Sequence, residues 1–465
     1  MKAHTGRVYV NRTLNLKRIN YIGFDMDHTL IRYNSRAFEE LTHKILLEKL
    51  IADKGYPDLI RHLKFDFDRS IRGLVIDIHR GNILKLSRHA AIRVSYHGLT
   101  PITYSQQRKL YKSAYVDLGD PGFDIVNTTF SIAFCGLFAQ LVDLKDQSEH
   151  QTLPDYGMIA DDLNSCLDKA HRDGSLKDVV AQNLDDYILK DESVVRCLER
   201  YKAHGKKVFI VTNSDFHYTK LLLDYSINPF LQGQTWEDFF EIVITSADKP
   251  RFFYDNLKFL KVDPKSGMMT NLERKIGPGV YQGGCASIFT SDLNLSADEI
   301  LYIGDHIYGD VVRLKKDCAW RTALVVEELE DEIDKITRAQ PFIEQINDLM
   351  ARKLPLEIEL DRLISTKIET GKNEKEEAIN GYLGQISEID KKIAPLIKSQ
   401  QEIFNARWGD VMRVGIEESF FAYQMERYAC IYMAKVRDLL ELSPRTYFRS
   451  AKRLMPHEVT PQLED

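Results

Sequence analysis

Residues Tyr21-Ile-Gly-Phe-Asp-Met-Asp-His-Thr-Leu-Ile31 contain an apolar run that ends abruptly in two carboxylates, Asp25 and Asp27. Such a run is typical of a buried parallel strand, and open α/β sheets bind ligands beyond the carboxyl ends of their strands. Side chains repeat every two residues in an extended chain, so Asp25 and Asp27 point to the same side. Two like charges placed together favour a cation or a shared proton between them. The pair therefore indicates a nucleophilic carboxylate beside a general acid, with a hard divalent ion next to a phosphate.

An Asp-x-Asp pair alone is weak evidence, because it also occurs in turns and calcium loops. Four later apolar runs strengthen the interpretation, because helical segments separate them and they end in, or lead directly to, polar residues. These runs begin at Lys207, Glu241, Glu299 and Arg321. The polar residues that follow the first three are Thr212, Asn213 and Ser214, then Lys249, then Asp305 and Asp310. In a parallel sheet all these strand ends share one edge, so we expect one site there.

Each of these features also has an ordinary structural explanation. Thr212 to Ser214 resemble a helix N-cap, Lys249 before a proline resembles a solvated loop charge, and residues 304–310 resemble a turn. Their joint occurrence in this order favours the site over the separate explanations.

Size and composition restrict the class of protein. At 465 residues the chain is too long for a single core, and its 44% hydrophobic and 28% charged content is that of an ordinary globular protein. A net charge of −6 argues against nucleic acid or an anionic membrane as a partner. The six cysteines include no Cys-x-x-Cys pair, which argues against zinc and disulfides and for a cytoplasmic location. The longest apolar run, residues 130–142, is too short to span a bilayer and predicts a buried helix.

The spacing of apolar residues predicts the domain organisation. Residues 1–36 and 199–326 form the α/β core, and residues 37–198 form a large, mainly helical inserted segment that includes a β-hairpin at 73–85. Residues 327–403 form a helical hairpin broken by Pro341, by Pro355 and by a turn at 371–374, and residues 404–465 return to the core. Within the inserted segment we expect helices over 104–116, 130–144, 157–170 and 176–189, and residues 255–290 form a loop or hairpin at the edge of the site.

With the strand ends in place, the chain resembles the haloacid dehalogenase-like superfamily and, more closely, the cytosolic purine 5′-nucleotidase family. The motifs that carry this resemblance are Phe24-Asp-Met-Asp-x-Thr-Leu30, Val211-Thr-Asn-Ser214, Tyr281-x-Gly-Gly284, Gly304-Asp-His-Ile-Tyr-Gly-Asp310 and Trp320-Arg-Thr322. The resemblance covers nearly the whole chain. It implies a Rossmann-like parallel-sheet core with a helical cap, and Mg²⁺-dependent hydrolysis of purine nucleoside 5′-monophosphates such as GMP or IMP.

The resemblance also implies roles for individual residues. Asp25 would be the nucleophile that forms an aspartyl-phosphate, and Asp27 would be the general acid and base. Thr212, Asn213, Ser214 and Lys249 would bind the phosphoryl oxygens. The Asp25 carboxylate, the Asp27 backbone carbonyl and Asp305 would bind Mg²⁺, and Asp310 would hold a metal-bound water or Lys249.

Recognition of the base would come from the cap. Phe130 matches the aromatic residue that stacks on the purine in this family, and Asp168, His171 and Lys177 match residues that contact the base and phosphate. The chain departs from the family at Asn164, where an arginine is usual, and at Arg172, where a tyrosine is usual. Preference among the purines therefore stays open.

Two other functions stay open at this stage. One is a phosphatase of the same fold that acts on another small phosphate ester, and the other is a non-catalytic scaffold that uses residues 327–403 for partners. We also expect a homo-oligomer, a dimer or a tetramer, and phosphate transfer to a second nucleoside as an additional activity.

Overall fold

The computed structural model describes residues 4–5, 7–111, 115–147, 153–371, 375–455 and 458. Contacts divide the chain into two compact units. The first contains residues 1–327 and 415–465, and the second contains residues 328–414. This division does not test the predicted domain boundaries at 37, 199 and 404, which remain proposals.

A parallel sheet of seven strands forms the centre of the first unit. In chain order the strands are β1 (Tyr21–Phe24), β2 (Lys207–Val211), β3 (Ile242–Thr245), β4 (Gly279–Gly283), β5 (Ile300–Gly304), β6 (Arg321–Val325) and β7 (Ile431–Met433). Their order across the sheet is β7-β6-β5-β1-β2-β3-β4. The predicted α/β class with a Rossmann-like parallel sheet is confirmed, and β1 lies at its middle because its residues are apolar and buried on both faces.

Two parallel strands were missed by the sequence analysis. Strand β4 lies in the glycine-rich stretch expected to be a loop or hairpin, and β7 has only three residues. A hairpin does form beside β4, from Phe259–Val262 and Met269–Asn271, and it extends the sheet antiparallel at that edge. Val8–Val10 and His4–Thr5 extend the opposite edge in the same way. Strand β7 is too short for an apolar pattern to be recognised, and the glycines and glutamine of β4 interrupt its apolar run.

The segment between β1 and β2 contains both helices and a second sheet. Its antiparallel sheet has five strands, and the hairpin predicted at 73–85 supplies Val75–Asp77 and Asn82–Leu86. The other three strands are Ile92–His97, Thr100–Pro101 and Phe123–Ile125. The helices are Ser35–Lys54, Tyr104–Leu110, Ile132–Gln147, Tyr156–Arg172, Lys177–Gln182, Leu184–Tyr187 and Glu192–Ala203.

Two helix predictions in this segment were wrong in extent. The helix expected over 104–116 ends at Leu110, and Tyr111 instead donates a hydrogen bond to Asp77 of the second sheet at 2.7 Å. The helix expected over 176–189 breaks at Asn183 and is followed by the short strand Ile188–Leu189, which pairs with Arg32–Tyr33 after β1. In both places tertiary contacts outweigh the local helical pattern.

The apolar run at 130–142 forms the buried helix Ile132–Gln147, as predicted. No helix in the described part of the chain is both long and apolar enough to cross a membrane. All six cysteines are free thiols.

The remaining helices of the first unit follow the core strands. They are Phe216–Ser226, Trp236–Phe239, Arg251–Tyr254, Ala286–Asp292, Arg313–Asp317, Phe420–Tyr428 and Val436–Leu440.

Two long helices, Leu329–Thr370 and Glu376–Ile403, form most of the second unit and pack on each other. The prediction that Pro341 and Pro355 break the first helix was wrong, because both lie inside it. Each proline leaves one carbonyl without its helical partner, but both positions are exposed and water can bond the freed oxygen. The predicted turn begins at Gly371, whose φ of 66° ends the helix, and residues 372–374 lie outside the described residues.

Candidate active site

The register of the central strands brings the predicted site residues together. Phe24 of β1 is level with Ile210 of β2 and with Ile303 of β5. Asp25, Thr212 and Asp305 therefore follow their strands within one or two residues of the same level, at the carboxyl edge of the sheet. This edge is where ligands bind in open α/β sheets.

Lys249 bridges two of the carboxylates. Its Nζ lies 2.8 Å from Oδ1 of Asp25 and 2.8 Å from Oδ1 of Asp310, and it donates to the Tyr302 hydroxyl at 3.0 Å. The three charged side chains are at most 12% exposed. A lysine that follows β3 thus neutralises part of the acidic charge that collects beyond β1 and β5.

The loop that carries Lys249 is held in a strained conformation. Ser246 and Asp248 have φ values of 44° and 57°, in the left-handed region that side chains disfavour. Asn213 fastens the loop from the end of β2, because its side-chain amide accepts from the Lys249 backbone N–H at 2.6 Å and donates to the Lys249 carbonyl at 3.0 Å. The Asn213 side chain is therefore used to position Lys249.

Asp310 reaches the site from a single π-helical turn, Ile307–Val312, which directly follows Asp305 and His306. Turns of this kind are often found at functional sites. The Asp310 carboxylate packs so closely on Gly304 that a Cβ at position 304 would lie 2.3 Å from the Asp310 Oδ2. Only glycine fits there, which explains the first glycine of Gly304-Asp-His-Ile-Tyr-Gly-Asp310.

Burial and crowding shift the pKa values of this cluster. Burial raises the pKa of Asp25 well above its ordinary value, and Asp310, Asp305 and Asp27 add to that effect against the opposing Lys249. Burial opposes the charge on Lys249, but Asp25, Asp310 and Tyr302 outweigh it and raise the pKa of Lys249 well above its ordinary value. Lys249 is therefore charged, and its single positive charge balances only part of the negative charge on the acidic groups around it.

The carboxylates of Asp25, Asp305 and Asp310 suit a divalent cation. One oxygen from each lies within 4.8 Å of the others, and all three residues are buried. The only ligands they offer are hard oxygens, which Mg²⁺ prefers, and one ammonium cannot balance three acids. The residues thus fit the predicted cation, and Lys249 contacts Asp25 and Asp310 at the same distance of 2.8 Å.

Asp27 is surrounded by hydroxyl groups. Its Oδ1 accepts from the Tyr33 hydroxyl at 2.6 Å, and its Oδ2 accepts from Ser214 at 2.8 Å and from Thr212 at 3.5 Å. The Tyr33 hydroxyl lies 3.0 Å from that of Tyr218. Burial, followed by Asp27, raises the pKa of Tyr33 well above its ordinary value, so Tyr33 stays protonated and donates to Asp27.

A cleft of about 680 Å³ opens from these residues toward the inserted segment, and that volume is in the usual range for small-molecule sites. Its wall includes Phe130, Asp168, His171 and Lys177, all predicted to contact the base or phosphate.

These cleft residues differ in their surroundings. The Phe130 ring is half-buried, with its centroid 4.4 Å from that of His28 and 6.0 Å from that of His171. Lys177 forms an ion pair with Asp215. Asp168 is exposed and lies 3.9 Å from the equally exposed Arg172.

Several residues at the site were not found from the sequence. Tyr33 and Tyr218 bear no motif, and only the fold brings them to Asp27. Thr128, which donates to Oδ2 of Asp305 at 2.9 Å, lies two residues before the predicted Phe130 and was not itself predicted. His306 lines the cleft beside Asp305, and burial lowers its pKa.

Known proteins resemble this chain along nearly its whole length. A model described as the 5′ nucleotidase family matches residues 8–460. A 5′-nucleotidase domain-containing protein of Dictyostelium discoideum is 28% identical over 463 residues, which cover 97% of this chain and 74% of that protein. The human 5′-nucleotidase domain-containing protein 2 is 25% identical over 477 residues, covering 97% of this chain and 85% of the relative. Its rat counterpart is 26% identical, covering 97% and 80%.

The family match spans nearly the whole chain, including the strand-end motifs and the segment that carries the wall of the cleft. The chain therefore belongs to the 5′-nucleotidase family and is a phosphoric monoester hydrolase.

Proposed function

We propose that this protein hydrolyses purine nucleoside 5′-monophosphates, of the GMP or IMP type, through an aspartyl-phosphate at Asp25. The observation that carries the proposal is the buried cluster in which Lys249 bridges Asp25 and Asp310 beside Asp305. Ion pairs with a purely structural role can also shift the pKa values of their members. This cluster, however, lies at the base of a cleft large enough for a nucleotide, which favours a functional role.

Asp25 is the proposed nucleophile. One of its carboxylate oxygens would form a bond to phosphorus while the bond from phosphorus to the 5′-oxygen breaks, which divides a difficult hydrolysis into two steps. Lys249 contacts Oδ1 of Asp25, so it holds that side chain in one orientation and stabilises its ionised form.

Asp27 is the proposed general acid and base. It would give a proton to the departing 5′-oxygen and later take one from the water that attacks the phosphoenzyme. Tyr33 and Ser214 bond different oxygens of its carboxylate and so fix its plane. In this role Ser214 orients Asp27 in addition to its predicted contact with the substrate.

The phosphoryl oxygens would be bound by Lys249, by the Thr212 hydroxyl and by the main chain at Asn213, whose side chain already holds the Lys249 loop. Loss of one such donor typically costs ~10²–10³-fold in rate. Asp25, the Asp27 carbonyl and Asp305 would hold Mg²⁺, which when bound offsets the charge of the phosphoryl group and of the crowded carboxylates.

Purine recognition is proposed to come from Phe130 and His171, whose rings line the cleft. Burial, with Lys177 adding to it, lowers the pKa of His171, so a neutral imidazole would face the base. Arg172 is exposed in the same wall of the cleft. Its guanidinium adds a positive charge to a wall that also contains aromatic and acidic side chains.

The test is phosphate release from a panel of monophosphates, with and without Mg²⁺. We expect phosphate release from GMP and IMP to be faster than release from CMP, UMP and ribose 5-phosphate. We also expect EDTA to abolish turnover. Asp25→Asn is isosteric and should abolish turnover without unfolding the protein. Equal rates on ribose 5-phosphate and GMP would replace the purine assignment with the alternative of another small phosphate ester. An unchanged rate for Asp25→Asn would refute the mechanism. Adding labelled inosine to the assay with GMP would reveal phosphate transfer to a second nucleoside, because labelled IMP would form.

The remaining expectations are also proposals. Six free thiols favour a reducing, cytoplasmic location. A homo-oligomer would use the exposed apolar residues of the long helices, among them Met350, Leu354 and Ile358, and light scattering would give its size.

A further inference from the structure

A buried arginine joins the inserted segment to the carboxyl edge of the core sheet. Arg72, just before the strand Val75–Asp77, is 1% exposed. Its Nη1 donates to the backbone carbonyl of Asp305 at 2.9 Å and lies 3.4 Å from the carbonyl of Val325, while its Nη2 donates to the Thr129 hydroxyl at 2.9 Å. One planar guanidinium thus holds the ends of β5 and β6 and a loop of the inserted segment.

The same loop also holds the side chain of Asp305. The hydroxyl of Thr128, itself buried, donates to Oδ2 of Asp305 at 2.9 Å. Asp305 is therefore fixed at its carbonyl by Arg72 and at its carboxylate by Thr128, although both partners lie more than a hundred residues earlier in the chain. One hydroxyl occupies only one of the carboxylate's acceptor sites, so the others remain free for a cation.

We propose that Arg72 and Thr128 are positioning residues for the divalent cation bound by Asp305, an inference that rests on the proposed function. A free aspartate side chain must lose rotational freedom when it binds a cation. The Thr128 hydroxyl already restrains the Asp305 carboxylate, and Arg72 fixes the backbone from which that side chain projects. Partners that orient a metal ligand typically change metal affinity by ~10–100-fold when they are removed. Lysine cannot replace Arg72, because a single ammonium cannot reach Asp305 and Thr129 in one plane.

This arrangement also links the cation site to the wall of the cleft. Thr128 and Thr129 immediately precede Phe130, whose ring lines the cleft. A change at Arg72 should therefore disturb both Asp305 and Phe130. A change at Thr128 that keeps the side-chain shape should disturb Asp305 alone, which makes Thr128 the sharper test.

The experiment measures Mg²⁺ binding to the full, metal-free protein by calorimetry, without substrate. Thr128→Val removes only the hydroxyl, and we expect its Kd for Mg²⁺ to rise by ~10–100-fold. Thr128→Ser restores the donor and should restore the Kd. Thr219→Val is the matched control, because Thr219 is also buried and its hydroxyl has no hydrogen-bond partner among the described residues. Arg72→Lys should weaken Mg²⁺ binding and also raise the KM for the nucleotide.

Different outcomes test the positioning role of Arg72 and Thr128 and the assignment of the cation to Asp305. If Asp305→Asn abolishes Mg²⁺ binding but Thr128→Val and Arg72→Lys bind as the wild type does, the positioning role is wrong and the proposed function stands. If Asp305→Asn itself leaves the Kd unchanged, the cation assignment fails and both proposals fall with it. Thermal melting of each metal-free variant shows whether it folds, and Thr128→Ala provides a second variant should Thr128→Val be unstable.

Discussion

Glu39 allows a quantitative test of the electrostatics in the segment that faces the site. It is 0% exposed, and its Oε2 accepts from the backbone N–H of Ala133 at 2.7 Å, in the first turn of the helix Ile132–Gln147. Its Oε1 is buried and has no hydrogen-bond partner among the described residues. Burial raises the pKa of Glu39 from 4.5 to about 8, against the opposing effects of the Ala133 N–H and of His28.

The sign and size of the effect follow from that shift. Because the folded-state pKa lies above the unfolded-state value, the group's contribution to stability is complete below the unfolded pKa and is lost as the pH rises through the folded pKa. The difference between 8 and 4.5 corresponds to about 5 kcal/mol in all, at about 1.4 kcal/mol per pH unit. The loss should therefore be complete only above about pH 8.

The perturbation is Glu39→Gln, which keeps an acceptor for Ala133 and removes the titration. The new amide N–H₂ stays buried without a partner, at a fixed cost of about 1–3 kcal/mol. The difference in unfolding free energy between variant and wild type should nevertheless rise in favour of the variant by about 4 kcal/mol between about pH 5 and pH 8. Urea denaturation at several pH values measures this difference.

Glu40→Gln is the matched control, because Glu40 is the exposed neighbour in the same helix. Glu40→Gln leaves Glu39 in place, so its unfolding free energy should still fall between about pH 5 and pH 8 as that of the wild type does. Infrared difference spectra provide an independent reading, since a protonated carboxyl band should disappear in Glu39→Gln at neutral pH. A difference that is constant from pH 5 to pH 8, together with no such band, would refute the reasoning.

Two further substitutions test the site itself. Lys249→Met leaves Asp25 and Asp310 buried without their cation, so unfolding free energy should fall by about 3–5 kcal/mol and phosphate release by ~10²–10³-fold; an unaltered denaturation curve would contradict the pairing. Tyr33→Phe removes one hydrogen bond to Asp27, worth about 1.5–3 kcal/mol, so kcat should fall by ~10–100-fold with little change in KM. Tyr56→Phe, which removes a hydroxyl bonded to Asp162 in the inserted segment, is its control and should keep the wild-type kcat.

The core of the site was predictable because strand ends leave a strong local pattern. Buried parallel strands are continuous apolar runs, and each run here leads to a polar residue at the same edge of the sheet. The positions of Asp25, Thr212, Lys249 and Asp305 could therefore be expected together before any coordinates. Two strands could not be predicted in this way. Ile431–Met433 is too short to show a pattern, and glycines interrupt the apolar run of Gly279–Gly283.

The contacts between distant parts of the chain were decided only by the tertiary structure. Local periodicity says which residues are helical or extended, but not which side chains meet when the inserted segment packs on the sheet. Tyr33 and Tyr218 are 185 residues apart, and Thr128 and Asp305 are 177 apart, yet both pairs are hydrogen-bonded. The sequence by itself thus determined the parallel core, the order of its polar strand ends and the family. The surroundings of each polar group, and hence its pKa and orientation, depend on burial and on partners that only packing supplies.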